Sequence, residues 1–298
     1  MKSLHSLSAL FLVGSLLAFS ANAEEVKAKY DGLTVNANVV LAEGKTLADE
    51  VVLFTHGTTT HNGRETYRVF QDLLAESGIS SVAPNLSLDV DDRHGEVDCA
   101  KPQSHQHHDA MKEIDFWVKW ISDKGADSVT LMGHSRGGNQ TAWYSVEHDS
   151  DLIKKIILVA PQTWSKGADA KDYEKKYGQA LQPILGKAQN LVKAGKGDAL
   201  MKGVNFIYCS ESGATAEALV SYYQPDQRMD TPTLLKSAVK PTMVFIGSED
   251  KVVADLADKM EGVNNANVSS YIVEDADHFF LDLFAEELIE EAVDFIQQ

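Results

Sequence analysis

The sequence is short of basic residues. Its 298 residues include 27 Lys and Arg against 44 Asp and Glu, a formal net charge of −17. Because nucleic acids and anionic membranes attract basic proteins, this balance argues against both as main partners. The hydrophobic content of 44% is nevertheless too high for a disordered chain, and the length is sufficient for a full core. One large domain, with or without an insertion, is the simplest organisation.

Long apolar runs are equally scarce. One mostly apolar stretch, residues 9–19, follows Lys2 and is too short to span a bilayer. It ends in residues 20–23, Ser-Ala-Asn-Ala, which are small residues typical of a signal-peptide cleavage site. The pattern predicts a signal peptide over residues 1–23, cleaved after Ala23, and a periplasmic or secreted protein without a stable membrane anchor. An uncleaved N-terminal anchor is the alternative.

Only two cysteines are present, Cys99 and Cys209. Neither lies near the predicted cleavage point, which argues against a lipoprotein anchor. Because exported proteins meet an oxidising environment, the even number permits a disulfide between the two residues. Two separate buried thiols account for the sequence equally well.

Predicted strands alternate with predicted helices along most of the chain. The strands are short apolar runs, and the helices carry apolar residues at a spacing of three to four. The predicted strands are residues 26–42 (a hairpin), 50–55, 79–86, 127–132, 153–160, 239–246 and 267–273. The predicted helices are residues 65–75, 110–121, 135–146 and 281–296. This alternation indicates parallel βαβ units in a doubly wound α/β sheet.

Residues 163–238 break the alternation. They contain a predicted amphipathic helix at 179–193 and are interpreted as a helical cap inserted between core residues 24–162 and 239–298. The stretch 162–203 carries eight Lys and four acidic residues, so it is mildly basic on an acidic body. A lid that attracts an anionic ester, docking of the cap on the body, or solvated lysines would each account for this charge.

Residues 133–137 read Gly-His-Ser-Arg-Gly and lie between a predicted strand and a predicted helix. Gly-X-Ser-X-Gly in this position is typical of a nucleophile elbow, which lifts the serine hydroxyl above the sheet edge. The two glycines allow neighbouring backbone to approach closely, and the following helix directs its N-terminal dipole at the reacting centre. Ser135 is therefore the candidate nucleophile. A glycine-rich turn without chemistry is the alternative.

A serine nucleophile needs a base, and the base needs an orienting carboxylate. His278 follows the last predicted strand at the sheet edge that carries Ser135, so it is the candidate base. Asp250 lies a few residues past the end of strand 239–246 and is the candidate acid, with Glu249 as the second choice. The order Ser, acid, His is the one expected after a nucleophile elbow.

The transition state needs an oxyanion hole. Residues 54–60, Phe-Thr-His-Gly-Thr-Thr-Thr, follow the strand that precedes the first helix. A backbone N–H from such a loop and the N–H of the residue after the nucleophile form the hole. We therefore assign the backbone N–H groups of Thr58 and Arg136 to this role.

Residues 91–109 are rich in His and Asp. His105 could meet His108 or Asp109 on one helical turn, and imidazole and carboxylate are metal ligands. The spacing of these residues and of His107 matches no defined zinc motif, however. A polar loop and helix start near the rim of the site is the favoured interpretation, and no metal or cofactor is expected.

With these pieces the chain resembles the α/β-hydrolase-fold serine hydrolases over most of residues 26–297. The matching segments are His56-Gly57, the elbow, residues 247–250 and residues 277–279. The resemblance implies about eight strands, mostly parallel, with a cap inserted after the sixth. Esterases, lipases, thioesterases and peptidases share this framework, so it leaves the substrate open.

The combined prediction is an exported serine hydrolase that cleaves a small carboxylic ester through an acyl-enzyme. Ser135 attacks, His278 transfers the proton, and Asp250 orients His278. A peptidase or amidase with the same triad is one alternative, and a non-catalytic binding protein on the same scaffold is another. The sequence gives no indication of oligomeric state.

Overall fold

The computed structural model describes residues 23–298, which form an eight-stranded sheet flanked by helices. The sheet order is β1-β2-β4-β3-β5-β6-β9-β10. The strands of this sheet are β1 (Glu24–Tyr30), β2 (Leu33–Val40), β3 (Val51–Thr55), β4 (Ser80–Asn85), β5 (Val129–His134), β6 (Ile153–Val159), β9 (Thr242–Gly247) and β10 (Val268–Val273). β2 pairs antiparallel with β1 and β4, and the other pairs are parallel.

Helices cover both faces of the sheet, as parallel strands require. The helices are α1 (Glu65–Glu76), α2 (Asp109–Ser122), α3 (Arg136–Glu147), α4 (Ala168–Tyr177), α5 (Leu181–Lys193), α6 (Ala216–Tyr223), α7 (Thr231–Leu235), α8 (Leu256–Met260) and α9 (Leu283–Gln297). None of the helices in residues 23–298 is long and apolar enough to cross a bilayer. The predicted signal peptide falls almost entirely on residues 1–22, which lie outside the described part of the chain.

The residues of the antiparallel hairpin β1–β2 and of the central parallel strand β3 explain why these strands differ. Asp31 and Gly32 both have positive φ, 45° and 81°, which is the backbone of a type I′ turn, and they join β1 to β2 as a tight hairpin. All five residues of β3 are buried, because this central strand is covered on both faces. Each strand and helix predicted by periodicity is present, and the mostly parallel α/β fold class is confirmed.

The predicted cap differs from the structure in two respects. It is not purely helical, because β7 (Leu200–Phe206) and β8 (Cys209–Thr215) form a separate antiparallel hairpin between α5 and α6. It also ends earlier than residue 238, since Leu234 and Leu235 pack in the main core. We use "the insertion" for residues 163–230 and "the body" for the rest of the described chain.

The insertion has its own hydrophobic interior. Phe206, Leu219 and Tyr222 belong to one buried cluster, and Tyr173 and Leu185 belong to a neighbouring one. Both clusters are separate from the core of the body. The insertion therefore folds around its own contacts and docks on the body.

The two ends of the insertion meet. The backbone N–H and the hydroxyl of Thr231 both donate to the carbonyl oxygen of Gln162, at 3.2 and 2.7 Å. Asp230 accepts from the backbone N–H of Trp164 at 2.9 Å and forms an ion pair with Lys259 at 2.7 Å. The segment thus leaves the body and returns to it at one point.

One loop of the body, residues 99–107, makes the main lateral connections to the insertion. Cys99 and Cys209 form a disulfide with a Cα–Cα distance of 5.1 Å, which answers the question that the sequence left open. Gln103 exchanges backbone hydrogen bonds with Gly213 and Thr215, at 2.8 and 2.9 Å. These bonds place the β7–β8 hairpin beside the loop that leads into α2.

Candidate active site

Ser135 sits at the turn from β5 into α3 with φ 56° and ψ −123°, a conformation that side-chain-bearing residues rarely adopt. The neighbouring glycines make the turn possible. A Cβ on Gly133 would clash with the Thr141 hydroxyl, and one on Gly137 would clash with the carbonyl oxygen of His56. This is the geometry that the Gly-X-Ser-X-Gly motif predicts.

The structure brings the three predicted triad residues together. The Ser135 hydroxyl lies 2.9 Å from Nε2 of His278, and Nδ1 of His278 lies 2.7 Å from Oδ2 of Asp250. His278 is 6% exposed and Asp250 is 5% exposed, so water competes little for these bonds. The chain of contacts runs from hydroxyl to imidazole to carboxylate, as general-base activation of a serine requires.

Asp250 is held as an ionised acceptor. Its Oδ1 accepts the backbone N–H groups of Val252 and Val253, at 2.6 and 3.0 Å. Burial raises the pKa of this carboxyl, but the hydrogen bonds from His278 and the two backbone groups outweigh burial and hold the pKa below its ordinary value. Glu249, the second choice, is exposed and pairs with Lys251 at 2.9 Å. It takes no part in the contacts of His278.

The loop after β3 passes directly over Ser135. A Cβ on Gly57 would lie 3.2 Å from the Cβ of Ser135, so a larger residue here would have to displace its neighbours. His56 donates from Nδ1 to the carbonyl oxygen of Gly57 at 2.9 Å, which fixes the peptide plane that carries the N–H of Thr58. Nε of Arg136 donates to the Thr58 hydroxyl at 3.0 Å. The two residues assigned to the oxyanion hole are thus joined through their side chains, and their backbone roles remain predictions.

Arg93 supports this loop and was missed by the sequence analysis. It is 4% exposed and donates to the carbonyl oxygen of Thr60, the side chain of Asn85 and Nε2 of His56, at 2.9, 2.7 and 3.1 Å. Burial and the charge of Arg93 lower the pKa of His56 to about 3, so His56 is neutral and can accept at Nε2 while donating at Nδ1. The local sequence indicates only a polar loop here, which conceals this role.

A known protein family matches most of the chain. The family described as serine aminopeptidase, S33, matches residues 46–286. The chain belongs to this family of α/β hydrolases. None of the curated proteins matches the sequence significantly.

Solved structures share the fold of the hydrolase at low sequence identity. Est1E from Butyrivibrio proteoclasticus is 14% identical with a TM-score of 0.64, and the match covers 94% of this chain and 100% of that one. The α/β hydrolase GrgF from Penicillium sp. sh18 is also 14% identical, with a TM-score of 0.66 and coverage of 93% and 98%. The esterase domain of a Rhodothermus marinus protein is 13% identical, with a TM-score of 0.59 and coverage of 93% and 98%. At these identities the likeness shows the fold alone.

The histidines of residues 105–108 contact different partners in the hydrolase. Nδ1 of His105 lies 2.8 Å from the Tyr222 hydroxyl, and Nε2 of His107 lies 3.0 Å from the side chain of Asn139. His108 lies at the surface, 4.0 Å from Asp109. These side chains therefore join the loop to the insertion and to α3 rather than converging on one point.

Within residues 23–298 one group of side chains has the spacing of metal ligands, Glu25, Asp92 and His94. The ammonium group of Lys27 lies 2.5 Å from Asp92 and 3.3 Å from Glu25. Since Lys27 pairs with both carboxylates and His94 also contacts Glu25 at 2.6 Å, the group is a surface ion-pair cluster, and it lies beside the edge strand β1 rather than at the site.

A cavity of about 270 Å³ opens beside Arg136, between α4, α6 and the β7–β8 hairpin. We name it the tyrosine pocket, because five of its lining residues are Tyr173, Tyr177, Tyr208, Tyr222 and Tyr223. Arg136 lies over the ring of Tyr222, 5.1 Å from the ring centroid. Asp169, Asp172 and Lys176 also line the pocket and supply its other charges.

Proposed function

We propose that the hydrolase is an exported serine esterase that uses Ser135, His278 and Asp250 as its catalytic triad. The observation that carries the proposal is the pair of short contacts, Ser135 Oγ to His278 Nε2 at 2.9 Å and His278 Nδ1 to Asp250 Oδ2 at 2.7 Å. A serine hydroxyl is a weak nucleophile unless a base accepts its proton, and this geometry supplies the base and the group that orients it.

The reaction has two halves. Ser135 attacks the ester carbonyl while His278 takes its proton, and the backbone N–H groups of Thr58 and Arg136 hold the oxyanion. The protonated His278 then gives its proton to the leaving alcohol, which departs and leaves an acyl-serine. Water, deprotonated by His278, attacks the acyl-serine and releases the acid and free Ser135. Asp250 stabilises the imidazolium in both halves.

We propose esters of ring-bearing acids as the preferred substrates. The tyrosine pocket adjoins Arg136, the residue after the nucleophile, and its phenol rings offer flat apolar walls. Most of its hydroxyl groups bond within the protein: that of Tyr173 bonds to Asn205, and that of Tyr222 bonds to His105. Est1E, which shares the fold at 15% identity with a TM-score of 0.65, has been solved with ferulic acid bound, and the match covers 92% of this chain and 100% of that one.

An aminopeptidase is the second candidate. The description of the matching family favours it. Asp169 and Asp172 also line the tyrosine pocket, and carboxylates are the groups that an N-terminal ammonium requires.

Export is supported by the disulfide between Cys99 and Cys209, because such bonds persist in oxidising compartments. The predicted signal peptide agrees with this interpretation. Mass spectrometry of the protein recovered from the periplasm or medium tests it, and a mature chain that begins at Glu24 is the expected result. A chain that retains residues 1–23 contradicts cleavage.

Labelling with a fluorophosphonate probe tests the serine mechanism. We expect the wild type to label stoichiometrically and Ser135→Ala not to label. A wild type that stays unlabelled would favour a non-catalytic binding protein, and equal labelling of Ser135→Ala would place the nucleophile elsewhere.

A substrate panel then separates the two enzymatic candidates. p-Nitrophenyl acetate, butyrate and cinnamate report ester hydrolysis with rising acyl size, and leucine p-nitroanilide reports aminopeptidase activity. We expect the highest kcat/KM with the cinnamate. A higher value with the anilide would replace the esterase proposal by the aminopeptidase.

A further inference from the structure

The hydroxyl of Tyr67 lies between the oxyanion loop and the nucleophile elbow. Tyr67 belongs to α1, is 3% exposed and packs its ring against Phe54 at a centroid distance of 5.1 Å. Its oxygen accepts the backbone N–H of Gly57 at 2.9 Å and lies 3.0 Å from Nδ1 of His134. One phenol therefore connects the loop that carries Thr58 to the residue that precedes Ser135.

His134 extends the connection to the catalytic base. Its Nε2 lies 2.8 Å from the backbone carbonyl oxygen of His278, and the two imidazole rings lie 4.9 Å apart. A carbonyl oxygen can only accept, so Nε2 of His134 carries the proton and Nδ1 accepts from the Tyr67 hydroxyl. The Tyr67 hydroxyl in turn accepts the backbone N–H of Gly57. The series of hydrogen bonds thus runs from Gly57 through Tyr67 and His134 to the carbonyl oxygen of His278, and every donor in it has an acceptor.

The backbone of Gly57 approaches both side chains closely. A Cβ on Gly57 would lie 3.2 Å from the Tyr67 oxygen and 3.4 Å from Nδ1 of His134. The pKa of His134 is lowered to about 3 by burial and by the neighbouring His278. His134 therefore stays neutral at ordinary pH, and its contact with the carbonyl oxygen of His278 keeps the ring proton on Nε2.

We propose that Tyr67 and His134 are positioning residues that hold the oxyanion loop and His278 in register with Ser135, an inference that rests on the proposed serine mechanism. Neither residue touches the substrate. Tyr67 accepts the N–H of Gly57, so the N–H of Thr58 is the one that this loop offers to the oxyanion. His134 bonds to the backbone carbonyl of His278 and so fixes the backbone that carries the His278 ring. A displacement of about 1 Å in such groups can cost on the order of a hundredfold in rate.

The test uses four single variants and one double variant with esters of the substrate panel. Y67F keeps the ring and removes only the hydroxyl, H134F removes both hydrogen bonds of His134, and H134Q keeps an amide N–H that can reach the carbonyl of His278. Rates are expressed per site titrated with the fluorophosphonate, so that only folded, reactive protein is counted. Y144F is the matched control, because Tyr144 is also buried and its hydroxyl bonds to Asp115 at 3.0 Å, away from Ser135.

We expect Y67F to lower kcat about tenfold and to leave KM within twofold, since register affects the reacting geometry more than ground-state binding. H134F should lose more, and H134Q should recover at least part of that loss. The kcat of the double variant Y67F/H134F should lie within twofold of the kcat of H134F, because both changes interrupt the same series of hydrogen bonds. Y144F should keep kcat within twofold of the wild type.

Three results would overturn the inference: full kcat in Y67F, equal loss in H134Q and H134F, or multiplicative losses in the double variant. Full kcat in Y67F would show that its hydroxyl does not position the site. Equal losses in H134Q and H134F would show that the hydrogen bond to the carbonyl oxygen of His278 is not what matters, and multiplicative losses would show that the two residues do not act through one series. A wild type that neither labels nor turns over esters would remove the proposed function and this inference with it. If the wild type labels and Y67F keeps full activity, the inference is wrong but the proposed function stands.

Discussion

The body and the insertion are held together in different ways. In the body, the loops that carry His278, Asp250 and Gly57 are tied by buried hydrogen bonds to a single continuous core. The insertion packs around two small clusters of its own and reaches the body through its ends and the loop 99–107. The candidate site thus lies where loops of the body, fixed by buried hydrogen bonds, meet an insertion that packs around its own clusters.

On the proposed function, we expect this difference to divide the catalytic parameters between the two regions. Changes in the body should alter the geometry of bond making and so kcat, whereas changes in the insertion should alter the walls of the tyrosine pocket and so KM. The following substitutions test that division.

The largest effect is expected in the body, at Asp250. Asp250→Asn keeps the shape of the side chain but offers His278 an amide, which permits the wrong tautomer of the imidazole. We expect kcat to fall about 10⁴-fold with little change in KM. Steady-state kinetics with p-nitrophenyl esters measures it. Glu249→Gln is the control and should stay within twofold, and a larger loss there would make Glu249 the orienting acid.

Removal of the disulfide tests the connection of the insertion. The pair Cys99→Ser and Cys209→Ser opens a cross-link between residues 110 positions apart, and the expected loss in the free energy of unfolding is about 4 to 5 kcal/mol. Calorimetry measures the stability, and we expect KM to rise while kcat changes little. A fall in kcat comparable to that of a body variant would break the division between the regions.

Glu113 tests whether a buried proton contributes to the stability of the body. Its carboxyl accepts the backbone N–H and the hydroxyl of Ser87, and burial raises its pKa from 4.5 to about 7. The folded state therefore keeps a proton that the unfolded chain releases above pH 4.5. This contribution is fully present below pH 4.5 and is lost as the pH rises to about 7, a change of about 3 kcal/mol.

Glu113→Gln cannot titrate, so its stability should depend less on pH over the same window. Urea unfolding of both proteins at pH 5 and pH 8 measures the difference. The stability advantage of the wild type over the variant should shrink at pH 8. Equal changes in the two proteins would show that this carboxyl keeps an ordinary pKa.

The smallest effect is expected at Tyr222, whose hydroxyl joins the insertion to His105 of the body at 2.8 Å. Tyr222→Phe removes one neutral hydrogen bond, worth about 1 kcal/mol, and should lower Tm slightly and leave kcat unchanged. Tyr208→Phe is the control, because Tyr208 is 60% exposed. A large loss of kcat in Tyr222→Phe would show that the insertion also positions the chemistry.

The body was predictable because its signals are local. β3 is a continuous apolar run, and the elbow is a five-residue pattern between a strand and a helix. Strand ends at one sheet edge then limit where an acid and a histidine can lie, which led to Asp250 and His278. The geometry of these residues required nothing beyond chain order and the topology of a parallel sheet.

The insertion was not predictable to the same extent. In α4 only Tyr173 is buried, so the helix shows no apolar face in its sequence. The strands β7 and β8 contain Gly203 and Gly213 and are interrupted by register shifts, which obscure the alternation typical of strands. Short elements that cover a small cluster leave too few apolar residues to reveal a period.

The supporting residues of the site were missed for another reason. Tyr67 fits the apolar face of an amphipathic helix, and Arg93 lies in an acidic loop. Their roles arise from contacts between distant parts of the chain, such as the bond from His134 to His278 across 144 residues. A pattern within a short stretch of sequence cannot indicate such a contact.

The contact between Gln162 and Thr231 has a consequence for changes in the insertion. Because these residues touch, the sheet edge needs no rearrangement when the segment between them is shortened, lengthened or replaced, and a longer segment adds little closure entropy. A change in the length or sequence of the insertion would therefore leave the contacts among Ser135, His278 and Asp250 as they are.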